Sequence, residues 1–193
     1  EELPQKTIMF LRPRKFGKTL FTSILENYYD KSKIECFEKL YGNTYIGKNP
    51  TKLRNSYCIL KFNFSNIDTS TEETTIRDFK NSTIESIRLF IEKYNIDFHI
   101  NENYEAEEIL NSLFMAFLIQ KSNEEIYVII DEYDYFANEL LEFNPEEFDV
   151  LVSKSKKIRR WYEILKKGTE TVVDRIFITG VAPITLDSFT SGF

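Results

Sequence analysis

The 193-residue sequence contains 2 cysteines, 1 histidine, 6 glycines and 5 prolines, and each scarcity closes off a class of protein. Cys36 and Cys58 are too few for a disulfide framework and do not stand at metal-finger spacing. A reducing, cytoplasmic or otherwise intracellular setting is therefore expected, with both thiols read as ordinary buried residues. The single histidine, His99 in Asp97-Phe98-His99-Ile100, has no acid or thiol at ligand spacing. That excludes a multi-histidine zinc site, and a Ser-His-Asp triad would rest on His99 alone; a surface or loop histidine is the plainer reading. So little glycine and proline, beside 42% hydrophobic and 29% charged residues, excludes collagenous, disordered and low-complexity chains. No apolar run approaches the roughly 18 residues of a membrane helix, and no basic-then-apolar leader opens the sequence.

Charge of one sign is also missing. Lys and Arg number 25 and Asp and Glu 31, for a net charge of -6, so a wholesale polyanion binder is not expected and any polyanion site must be local.

What is present alternates in period. Thr7-Ile8-Met9-Phe10-Leu11 reads as a buried strand stopped by Arg12-Pro13. From Lys18 to Tyr29, the residues Leu20, Phe21, Ile24, Leu25 and Tyr28 form the apolar stripe of a helix. Tyr57 to Phe64 is a second strand, Ile126 to Ile130 a third, and Arg175 to Gly180 a fourth. Helices are expected over Glu72 to Tyr94, with Thr71 or Ser70 as cap, over Glu105 to Lys121, and over Ile158 to Lys167 with Trp161, Ile164 and Leu165 inward. Strands separated by helices predict a mostly parallel sheet covered on both faces, with ligands at the carboxyl ends of the strands.

The distinctive residues fall at those ends. Arg12-Pro13-Arg14-Lys15-Phe16-Gly17-Lys18-Thr19 matches the last three positions of a Walker A loop, while Arg12 replaces its first glycine. Such a loop needs inward amides, a helix N-terminus, a lysine for β and γ phosphates and a hydroxyl for Mg²⁺; Gly17, Lys18 and Thr19 supply the last three. A plain helix start is the alternative. Asp131-Glu132-Tyr133-Asp134 after the third strand has the form of a Walker B tip, with Asp131 for the metal and Glu132 for the attacking water. Ordinary acidic loop residues are the alternative there, and Asp134 is open between a supporting acid and a helix cap. With one strand between the two motifs and a Glu after the Asp, the arrangement is that of additional-strand, catalytic-glutamate P-loop proteins. The strand after Walker B should then lie between the two motif strands and end in a polar sensor, Thr179.

These residues carry a resemblance. Phe10 through Leu20, Val128 through Asp134, and Phe177 through Val181 with Ser191-Gly192-Phe193 resemble the predicted AAA-ATPase-like family. Its loop typically reads R-P-R-(R/K)-F-G-K-(S/T), so Arg12 follows the family pattern. The resemblance implies a three-layer α/β/α P-loop domain that binds ATP with Mg²⁺ and is often followed by a PD-(D/E)XK nuclease-like domain. It also implies nucleotide contacts along Arg12, Arg14, Lys15, Phe16, Gly17, Lys18, Thr19 and Leu20. Residues 1–193 are expected to be one such domain cut from a longer chain, without its last strand and lid.

Arg12, Arg14 and Lys15 beside Lys18 are read as phosphate contacts or local packing, or else as contacts to nucleic acid or a neighbouring subunit. Lys154, Lys156, Lys157, Arg159, Arg160, Lys166 and Lys167 form a basic stretch around Trp161, either a solvated helix face or a nucleic-acid-facing ridge. Three functions follow: a Mg²⁺-dependent ATPase, a nucleotide-holding module that gates an effector without turnover, and a component of nucleic-acid processing. No membrane partner is expected, and an oligomer is left open.

Overall fold

The structure, a computed structural model, describes residues 5–138 and 156–181. Four strands form one sheet: β1 (Thr7–Leu11), β2 (Cys58–Asn63), β3 (Ile126–Asp131) and β4 (Val173–Gly180). Their order is β1-β4-β3-β2 and every pairing is parallel. Parallel neighbours need crossover connections, and helices supply them: α1 (Lys18–Tyr29), the short α2 (Phe37–Tyr41) and α3 (Tyr45–Lys48), α4 (Glu72–Tyr94), α5 (Ala106–Gln120) and α6 (Lys156–Gly168). β4 thus lies between β1 and β3, as the sequence order of the two motifs predicts.

Side chains on a strand alternate faces, so the sheet sorts its own core. Leu60, Phe62, Val128, Ile130, Ile176 and Ile178 join the larger cluster, which α4, α5 and α6 cover with Phe79, Ile87, Leu113, Phe117, Trp161 and Leu165. Tyr57, Ile59, Tyr127, Ile129 and Phe177 face the other way and pack with Leu25 and Tyr29 of α1. Trp161 is fully buried, its ring centroid 4.9 Å from Phe62, 5.6 Å from Phe64 and 5.4 Å from Phe79, each near edge-on, the arrangement ring quadrupoles favour.

Thr71 caps α4, accepting from the Thr74 amide while the Thr74 hydroxyl accepts from the Thr71 amide, a capping box built from two threonines. Asn95 ends that helix in the left-handed region, φ 50°. On α5, Glu105 and Glu108 form a second box, while Glu107 is buried at 8% exposure with Oε2 unpartnered. Burial raises its carboxyl above the ordinary glutamate range, and Glu105 and Glu108 push in the same direction.

Three expectations need correction. Cys36 is exposed and only Cys58 is buried; the Cys58 thiol donates to Glu124, which also pairs with Lys31. The α1 stripe is not a uniform core face: Tyr28 is buried, but Leu20 is 67% exposed and Ile24 43%. A 3₁₀ turn (Lys31–Cys36), α2 and α3 occupy a stretch that the sequence pattern left without elements, and Tyr28, Phe37 and Tyr41 make a separate small cluster there.

Candidate functional site

Sheet register brings Leu11, Gly180, Asp131 and Asn63 to the same carboxyl rim. The loop after β1 begins inside the ladder, because the Arg12 amide donates to the Gly180 carbonyl at 3.1 Å. That amide is used by the sheet, so Arg12 departs from the glycine of the general pattern without taking a donor from the loop interior. Its guanidinium folds back 5.0 Å from the Phe10 ring centroid and donates to the Leu11 carbonyl at 2.8 Å.

Two left-handed residues then turn the chain, Lys15 at φ 65° and Gly17 at φ 79°. A Cβ on Gly17 would meet nothing within 4 Å, so glycine answers a conformational demand there rather than a spatial one. Lys15 has no such freedom, and its conformation costs roughly 1–2 kcal/mol. Gly17 is also the N-cap of α1 and offers no capping side chain, which leaves the first amides of the helix available for an anion. Lys18 is 5% exposed, and its Nζ donates to the carbonyls of Arg12 at 3.0 Å and Pro13 at 3.2 Å. The ammonium therefore sits within the turn. Thr19 is exposed beside it, as are Phe16 and Leu20. The Arg14 guanidinium lies 5.9 Å from the Tyr135 ring centroid, in the segment that follows β3. Arg12 and Arg14 thus rest on aromatic rings, and Lys15 is exposed.

At the tip of β3, Asp131 is fully buried. Its Oδ1 accepts from the Thr179 hydroxyl at 2.5 Å, while Oδ2 has no partner. A buried carboxylate oxygen left without a donor is costly, and a hard cation supplies what is missing. No group of three or more His, Cys, Asp or Glu side chains able to hold a metal occurs among the described residues. The donor set that fits Mg²⁺ is accordingly one carboxylate, a hydroxyl such as that of Thr19, and oxygens of a phosphate ligand.

Glu132 follows at φ 54°, half-buried, its amide donating to Thr179 Oγ1 at 3.3 Å and its carbonyl accepting from the Tyr135 amide at 3.2 Å. Tyr133, Phe136 and Ala137 are buried beneath it and anchor the segment. Asp134 is buried too and accepts from the Val181 amide at 2.8 Å.

The structure joins Asp131, Glu132 and Thr179 directly through hydrogen bonds, and it sets Lys18 and Thr19 in the first turn of α1, after the loop that leaves β1, the strand beyond β4. The basic stretch is partly spent on local ion pairs: Lys157 meets Glu105 at 2.6 Å and Arg159 meets Glu163 at 3.1 Å. Lys154, the Lys156 side chain and Ser191-Gly192-Phe193 lie outside the described residues. Sequence reasoning placed Thr179-Gly180 among the distinctive strand ends but missed Tyr135. An aromatic three positions past Glu132 was the available signal.

Comparison with known families decides the larger assignment: residues 2–190 match the model of the family described as predicted AAA-ATPase. The chain belongs to this AAA-ATPase-like family. No curated protein and no solved structure matches it. The match takes in every site residue of this AAA-ATPase-like chain named above, from Arg12 to Val181. No helix among the described residues is long and apolar enough to cross a membrane.

Proposed function

We propose that this chain binds ATP with Mg²⁺ and hydrolyses it, as a P-loop domain of the additional-strand, catalytic-glutamate type. The observation that carries the reading is the buried Asp131: one oxygen is fixed by Thr179 and the other is unpartnered, on the same sheet rim as a lysine-bearing turn that opens a helix.

On this reading the uncapped amides of α1 and the Lys18 ammonium bind the β and γ phosphates, Lys18 exchanging its two carbonyl partners for phosphate oxygens. Thr19 and Asp131 hold Mg²⁺, which when bound neutralises charge that develops on the phosphate oxygens. Glu132 accepts a proton from water as the water oxygen bonds to the γ phosphorus and the bond from that phosphorus to the bridging oxygen breaks, leaving ADP and phosphate. Thr179 keeps Asp131 oriented and stands where the γ phosphate can be sensed. Arg14, released from Tyr135, and Lys15 beside it supply additional positive charge for the phosphates.

ATP binding and turnover by purified protein, compared across the parent, Lys18→Ala and Glu132→Gln, test this. Binding should fall by roughly tenfold or more in Lys18→Ala, and turnover by about 10²-fold or more in Glu132→Gln with ATP still bound. Unchanged binding in Lys18→Ala would sink the assignment. Tight ATP binding with the same negligible turnover in parent and Glu132→Gln would instead make the chain a nucleotide-holding module that gates an effector.

A further inference from the structure

Glu132 occupies a backbone region that disfavours side chains, at φ 54°. Such a conformation persists where surrounding structure fixes it from several sides. The Thr179 hydroxyl holds the Glu132 amide, the Thr179 carbonyl accepts from the Tyr133 amide at 3.1 Å, and the Tyr135 amide closes on the Glu132 carbonyl. Both contacts from Thr179 depend on where the end of β4 lies relative to the loop.

Asp134 sets that relation. Its side chain is 1% exposed, and Oδ2 accepts from the Val181 amide at 2.8 Å, just past the last residue of β4. Its Oδ1 lies 2.6 Å from the position a Cβ on Gly180 would take, and two Tyr133 ring carbons lie 2.4 and 2.5 Å from the same point. Gly180 is not among the left-handed residues. Its glycine therefore answers a demand for space, so that the acidic loop can close on β4 at this distance. The Asp134 carbonyl also accepts from the Asn138 amide at 2.9 Å, which ties the same residue to the helical turn that begins at position 135.

We infer that Asp134, seated against Gly180, is a positioning residue: it clasps the acidic loop to the end of β4 and so fixes the backbone from which Glu132 presents its carboxylate. Neither of the roles open at first describes it fully, since its carboxylate bonds to the chain leaving β4. The inference rests on the reading of Glu132 as general base, and it makes Asp134 act through Glu132.

A double-mutant cycle on the full chain tests this. With Mg²⁺ and ATP, Asp134→Ala should lower kcat by roughly 10- to 100-fold while leaving KM within about threefold, since the loss is one of aim. Asp134→Asn, which keeps an acceptor for the Val181 amide, should restore at least about tenfold of that. In a Glu132→Gln background the same Asp134→Ala change should lower the residual rate by less than about twofold, because the two residues act as a unit. An equal loss in both backgrounds, or a kcat unmoved by Asp134→Ala, overturns the clasp. If Asp134→Ala does not fold, Asp134→Ser, too short to reach Val181, takes its place in the cycle. If the parent itself turns over no ATP, the reading of Glu132 fails. Amide exchange then judges the clasp alone: Asp134→Ser should speed exchange at Val181 and Glu132 by about tenfold or more, and unchanged exchange refutes it.

Discussion

One hydroxyl on β4 organises both acids at the tip of β3: Thr179 Oγ1 donates to Asp131 at 2.5 Å and accepts from the Glu132 amide at 3.3 Å. A strand-end threonine is common on propensity alone, but this one is buried and its hydroxyl is engaged on both sides.

Replacing Thr179 with valine keeps shape and removes both bonds. The buried Asp131 then loses its one donor, and stability should fall by about 1–3 kcal/mol. Urea denaturation measures the loss, and Thr179→Ser should recover most of it. A valine variant as stable as the parent would mean that the bond contributes nothing net.

Backbone conformation in the loop between β1 and α1 predicts opposite results at two nearby positions. Gly17→Ala forces a Cβ into φ 79° with no clash to relieve, and should cost about 1–2 kcal/mol. Lys15→Gly relieves the same kind of strain and should stabilise the fold by up to about 1 kcal/mol after the entropy of glycine is counted. Thermal melts of the two variants should shift in opposite directions. If Lys15 contacts phosphate, its glycine variant will also bind ATP less tightly.

Glu107 should make stability depend on pH. Burial, reinforced by Glu105 and Glu108, raises its folded-state pKa above the unfolded value. Its contribution is therefore intact below the ordinary glutamate range and is lost as pH rises through the raised folded value. Glu107→Gln should match the parent near pH 4 and melt higher at pH 7–8, by roughly 2–4 °C if the gain is ~1 kcal/mol. A constant difference across pH would point to packing instead of charge.

The two thiols should separate cleanly. Burial, then the bond to Glu124, pushes the Cys58 thiol up to about 12, while Cys36 is exposed. A thiol reagent near pH 8 should titrate Cys36 in the native protein and both cysteines after denaturation. Rapid native labelling of Cys58 would show that the β2 edge opens readily.

Legibility followed the physics of each segment. Periodicity located α4 from Glu72 to Tyr94, because a long amphipathic helix repeats its signal over many turns. The place of β4 was expected from the likeness to additional-strand, catalytic-glutamate P-loop proteins, in which the strand after the acidic tip lies between the two motif strands, and β4 lies between β1 and β3. Residues 31–48 were illegible because their short helices have no sustained period, and Phe37 and Tyr41 find their place only against Tyr28. The α1 stripe misled for a related reason: periodicity reports an apolar face, not what covers it. At the site, residue types were readable and their connections were not. Nothing in the sequence shows that Arg14 reaches Tyr135 or that Asp134 closes on Val181, because both contacts join segments more than 40 residues apart.

Trp161 is the one tryptophan in the sequence, and it lies against Phe62 and Phe64, which flank the residue of β2 paired with Asp131. The fold thereby carries its own optical probe behind the acidic rim. A ligand that shifts the rim can be followed by the colour and lifetime of native emission, with no label attached.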